Sequence, residues 1–146
     1  MAPVGNRMYW TTVSARSKAR RRALDILFEA DIRDMDPMAV LADHERRRVA
    51  AKQPPLNPYT TALVTGVAEN LRDIDMQLSK VSRDWDLDRM PRVDRNVLRI
   101  GAYEISYSDE VPDGVAIAEA VALVKDLSTD ESPGFTNGIL AAIAAE

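Results

Sequence analysis

Five cations fall within seven consecutive residues, Arg16, Lys18, Arg20, Arg21 and Arg22, with no acid among them. They run directly into Ala23-Leu24-Asp25-Ile26-Leu27-Phe28, the start of an amphipathic helical pattern. Basic side chains at a helix start face the positive end of the helix dipole, where a helix built for stability alone carries acids. A solvated charged end is one use for such a run, and a polyanion site is the other. The conflict with the dipole and the acidity of the rest of the chain favour the second. Phe28 lies seven residues beyond Arg21, two helical turns along the same edge. Cations that meet phosphates beside a ring that meets a base are the usual means of holding single-stranded nucleic acid. The alternative for Phe28 is that it completes the hydrophobic core.

Other chemistry is hard to place. The chain has no cysteine, which excludes disulfides, thiol nucleophiles and thiolate metal sites. Its one histidine, His44, reads as an exposed polar residue and leaves no multi-histidine metal site. Neither a G-x-x-x-x-G-K-S/T loop, a G-x-G-x-x-G turn nor a G-x-S-x-G elbow is present. Carboxylates are numerous but form no recognisable acid–base pair. The reading is a binding protein without a cofactor, not an enzyme.

These residues need a scaffold, and 146 residues suffice for one domain with a real core. An apolar content of 46% and a charged content of 29% are ordinary for a globular chain. No apolar run approaches the roughly 18 residues of a membrane span, and the start lacks the apolar centre of a signal peptide. A cytoplasmic protein is expected. The net charge of −4 hides an asymmetry. Met1 to Arg99 carries 18 basic and 14 acidic residues, whereas Ile100 to Glu146 carries one basic residue and nine acidic ones. Nucleic-acid contact on one side of the molecule would produce such a split.

Residues 1–13 have no helical period and are expected to be a disordered tail, leaving 14–146 as the domain. Helix one is predicted from about Ser17 to Asp34, with Ala19, Ala23, Leu24, Ile26, Leu27 and Ala30 on one face. Asp36-Pro37 and Asn57-Pro58 are start signals, a capping side chain followed by proline at the first helical position. The first opens a helix to about Lys52, whose Glu45-Arg46-Arg47-Arg48 segment reads as a solvated face. The second opens one in which Gly66 marks close approach by a neighbour. Asn70 is a candidate cap for a helix over Leu71 to Val81. Trp85 to Pro91 is a connector. Pro91 opens the most apolar helix, to about Ser108, whose wide stripe includes Glu104. A carboxylate there needs a partner, an arginine or backbone amides. Pro112-Asp113-Gly114 reads as a turn, Val115 to Leu127 as a buried helix, and Ser132-Pro133 as the last helix start. No segment alternates like a strand, so the fold is expected to be all-α, with six to eight helices.

Three blocks carry a family resemblance. Arg20-Arg21-Arg22-Ala23-Leu24-Asp25-Ile26-Leu27-Phe28 is similar to the arginine-rich first helix of the NusB family of bacterial transcription antitermination factors. Trp85 to Ile105 is the second block, in which Val93 to Ile105 resembles that family's central helix. Asp109-Glu110-Val111-Pro112 through Ala118-Glu119-Ala120 to Phe135-Thr136-Asn137-Gly138-Ile139-Leu140 resembles its C-terminal signature. The resemblance implies an all-helical bundle of about seven helices in two three-helix subdomains. It implies binding of the single-stranded boxA RNA element together with NusE, the ribosomal small-subunit protein. Assembly with other Nus factors on RNA polymerase, in support of ribosomal-RNA transcription, follows from it too.

Position by position, it assigns phosphate contacts to Arg16, Lys18, Arg20 and Arg21. Base stacking falls to Phe28, where the family often has tyrosine, at about 1–3 kcal/mol per base. Ser132 and Phe135 match the loop and helix start that complete the RNA surface, although Pro133 and Gly134 depart from the polar residues of some relatives. Asp88 and Asp94 are the candidates for the NusE face, with a dipole role in the first turn of the central helix as the competing account of Asp94. Five cations on phosphates would give a log–log salt dependence of roughly −3.5. The rival reading is a homodimeric helical scaffold for protein partners without direct RNA binding. A fused RNA-methyltransferase activity is not expected, since the chain has neither the length nor a cofactor loop for it.

Overall fold

The computed structural model describes residues 4–82 and 85–146, with side chains from Ala15 onward. Every regular element among them is helical: α1 (Val4–Arg33), α2 (Pro37–Ala50), α3 (Pro58–Glu69), α4 (Leu71–Val81), α5 (Arg92–Tyr107), α6 (Asp113–Leu127) and α7 (Ser132–Ala144). A single 3-10 turn, Leu87–Arg89, interrupts the connector before α5. The fold is all-α. Helices α1, α2 and α3 pack on one another, and α5, α6 and α7 do the same. α4 lies against α5 and α7, and α5 also meets α1 and α3, so it joins the two halves.

The local signals act as the sequence suggests. Asp36 accepts the amide of Met38 at 2.9 Å and Asn57 that of Tyr59 at 2.8 Å, each followed by proline. Pro91 and Pro112 stand at the cap positions of α5 and α6, with φ near −55°. The six apolar residues assigned to the inner face of α1 are all buried, from Ala19 to Ala30. All but Ala19 meet Leu63, Val64 and Val67 of α3 and Val97, Leu98 and Ile100 of α5 in one cluster. Each fully buried aliphatic side chain there contributes about 1.5–3 kcal/mol. The bundle is tight at Gly66, where a Cβ would collide with the ring of Tyr103.

Four local expectations need correction. Asn70 does not cap α4: its amide turns back to donate to the Gly66 carbonyl at 2.8 Å, and its backbone (φ −116°, ψ 17°) lacks the extended geometry of a cap. Asp113 and Gly114 are not a turn but the opening of α6. His44 is not an exposed residue; it is largely covered and pairs with Glu29 at 3.0 Å. α1 begins at Val4, well before Ser17. Once a helix is nucleated on a packed segment, each further residue adds one hydrogen bond at little cost. The tail expected over 1–13 falls on residues described by backbone at most.

Candidate nucleic-acid interface

α1 presents its cations in two directions, and helical phase decides which. Arg20 shares a face with Ala23, Leu24 and Leu27, so it points into the bundle and is 3% exposed. Its Nε and Nη2 donate to the two carboxylate oxygens of Glu104 on α5, each at 2.9 Å. Glu119 of α6 lies 3.6 Å from Nη1, and the Tyr59 hydroxyl donates to Glu104 in a very short hydrogen bond. Burial and the adjacent Glu104 carboxylate push the Tyr59 hydroxyl well above its usual range. Burial alone would lower the Arg20 pKa, but the Glu104 hydrogen bonds and charge outweigh it and raise it. Arg20 is therefore held in a buried ion pair with Glu104 and is not presented to solvent. Glu104 has the arginine that its place in the stripe required.

Of the remaining cations, Arg16 lies four residues before Arg20 and so on the same side of the helix, and the other three face outward. Lys18, Arg21 and Arg22 are exposed, and Arg16 is half-buried with its guanidinium 5.0 Å from the centre of the Tyr59 ring. On the flank towards α6, Arg21 pairs with Asp126 at 2.9 Å, and Ser17 donates to Glu119 at 2.8 Å. Arg16 reaches Glu110 at 3.4 Å. Lys18 has no acid within ion-pair distance among the described residues. Phe28, two turns beyond Arg21, is half-buried.

A cleft of ≈ 360 Å³ opens where the connector, the start of α5 and the α6–α7 loop converge. Trp85 and Phe135 form its aromatic wall, edge to face with ring centroids 5.9 Å apart, and Arg89 stands at its rim. Asp94 and Ser132, expected at partner surfaces, instead face each other as its floor. Asp94 is 4% exposed and accepts from Ser128 Oγ at 2.5 Å and Ser132 Oγ at 2.8 Å. Ser132 is 2% exposed. The pair pins the start of α7 to the first turn of α5, where the dipole also favours the carboxylate. Asp88, on the 3-10 turn, is exposed. Sequence reasoning missed Trp85 and Arg89 as lining residues; an exposed tryptophan in a polar connector was the available signal.

Comparison with known proteins settles the ancestry. The NusB family model matches residues 17–145. The chain belongs to the NusB family. It is 57% identical over 131 residues to the transcription antitermination protein NusB of Nocardioides sp., covering 90% of this chain and 94% of that one. To the NusB of Acidothermus cellulolyticus it is 51% identical over 131 residues, covering 90% and 88%. The T. maritima NusB structure superposes with a TM-score of 0.77 at 32% identity, covering 90% of this chain and 91% of that one. A structure of antitermination factors NusB and NusE in complex with dsRNA superposes at 0.76 and 25% identity, covering 90% and 97%. NusB proteins are RNA-binding transcription factors and not enzymes. No described helix is long and apolar enough to cross a membrane.

Proposed function

We propose that the protein binds the single-stranded boxA element of nascent transcripts together with NusE. In this reading it acts in the cytoplasm, with other Nus factors on RNA polymerase, to support transcription of ribosomal-RNA operons. The observation that carries the reading is the outward edge of α1. Lys18 and Arg21 precede the half-buried ring of Phe28 along it, on a helix whose opposite face is fixed in the core. Cations for phosphates and a ring for a base suit an unpaired strand. The Trp85–Phe135 wall supplies a second stacking surface, and the exposed Asp88 is the acid offered to a basic partner such as NusE. A structural relative holds double-stranded RNA beside NusE, so strandedness belongs in the test.

With Arg20 buried and Arg16 turned to the Tyr59 side of the helix, two cations remain on this edge, and the log–log salt slope for a short boxA RNA should be about −1.4. The experiment is a titration of labelled boxA RNA, single-stranded and annealed to its complement, with and without NusE. Wild type is compared with Lys18→Ala/Arg21→Ala and with Phe28→Ala. Weaker single-strand binding by both variants supports the reading. Unchanged binding, or a preference for the duplex, rejects it. Sedimentation alongside the titration tests the rival scaffold, which would be a dimer indifferent to RNA.

A further inference from the structure

The opposite flank of α1, towards α2, carries a second cationic surface that the resemblance does not assign. Two adjoining cavities of ≈ 260 Å³ and ≈ 320 Å³ share Arg22, Arg48 and the buried Leu56. Lys18 closes one end of the trough and Arg47 the other. No acidic side chain lines either cavity. Among the described residues Lys18, Arg22 and Arg48 have no carboxylate within ion-pair distance. Arg47 alone is matched, by Asp43 at 3.1 Å and Glu29 at 3.8 Å. Arg48 is held in place, its Nε donating to the Pro54 carbonyl at 2.6 Å, which leaves its terminal amino groups for another acceptor. The flank towards α6 is built differently: Glu119 and Asp126 line that cavity beside Lys18 and Arg21. An anion on that side must displace internal acids, whereas on the α2 side three of the four cations carry no counter-charge, and the concave trough concentrates their field.

We propose that this trough is a second phosphate-backbone site, occupied by RNA that flanks the boxA element. Lys18 lines cavities on both flanks of α1 and is the point at which the strand crosses from one to the other. A strand continuous with the first interface accounts for this geometry better than an independent acidic peptide, which would have no reason to share Lys18. The inference rests on the proposed RNA-binding function, and the test separates the two.

Fluorescein-labelled single-stranded boxA RNA is titrated beside the same RNA extended by a uridine tract at each end. The proteins are wild type, Arg22→Gln/Arg48→Gln, in which glutamine keeps an amide donor for Pro54, and Arg22→Glu, an exposed charge reversal. Each phosphate contact is worth about fivefold at 0.1 M salt relative to 1 M, with a slope of about −0.7. The extended RNA should bind wild type more tightly than the short one, with a slope steeper by about 1.4. The double variant should lose about 25-fold on the extended RNA only, and Arg22→Glu should weaken the same RNA selectively. Equal binding of both RNAs by wild type, or equal losses on both RNAs in either variant, would overturn the trough while leaving boxA binding intact. Failure of wild type to bind either RNA would remove the functional reading, and the trough with it.

Discussion

Lys18 and Arg20 stand two positions apart on α1, which separates their side chains by about 200° around the helix axis. One reaches solvent and the other closes on Glu104 at 2.9 Å. Their substitutions should therefore fail in different assays. Arg20→Ala leaves the Glu104 carboxylate buried without its cation and should cost about 3–5 kcal/mol of stability, read as a lower urea midpoint. Lys18→Ala should stay within about 0.5 kcal/mol of wild type yet lose about fivefold in RNA affinity at 0.1 M salt. Equal stability losses in the two would contradict the assigned roles. The sequence shows both as members of one basic run, and charge alone does not distinguish them. The phase that does, Arg20 in register with Ala23, Leu24 and Leu27, was already visible. Phase alone does not settle burial, because a buried cation is rare without a partner, and that partner lies 84 residues away.

Among the elements, the helix starts were legible wherever the signal is local. Asp36-Pro37, Asn57-Pro58 and Ser132-Pro133 each stand where a helix opens. Asn70 was not legible, because one side chain can serve the helix before it or the helix after it, and backbone geometry decides. The Asp94–Ser132 pin across the start of α7 was hidden for a different reason. Both residues have local explanations, a first-turn acid and a helix opener, that leave no trace of their meeting. Glycines test the packing of the elements directly. Gly66→Ala should destabilise by about 1–3 kcal/mol, since its methyl group would enter the Tyr103 ring. Gly138→Ala, with nothing within 4 Å of the added carbon, should stabilise α7 by about 0.5–1 kcal/mol. Thermal melts of the two single variants check both, and a neutral Gly66→Ala would mean that α3 and α5 are not as close as described.

For the whole molecule, the end of α1 is tied to α5 by Asp31, which accepts from Arg95 at 2.7 Å and from Asn96 at 3.0 Å. Burial would raise the Asp31 pKa, but the Arg95 and Asn96 hydrogen bonds and the Arg95 and Arg99 charges bring it below its ordinary 3.8. Glu29 is lowered in the same direction, chiefly by its hydrogen bond with His44. A carboxylate whose folded pKa is depressed contributes stability above its unfolded value and loses it as pH falls through the folded one. Stability should therefore decline as pH drops below the ordinary 4.5 of Glu29 and 3.8 of Asp31. Asp31→Asn should be less stable than wild type near neutrality and show a shallower acid-side decline. Urea midpoints across that range read the difference, and parallel curves would remove Asp31 from the account.

The tie among Arg20, Tyr59 and Glu104 spans α1, α3 and α5, and it has a consequence for inheritance. Bacteria selected for failed read-through of terminators would yield alleles at Arg20 as readily as alleles at the exposed cations. Only the Arg20 class should vanish from immunoblots as cellular proteases clear the unfolded chain, and cooler growth should bring that class back.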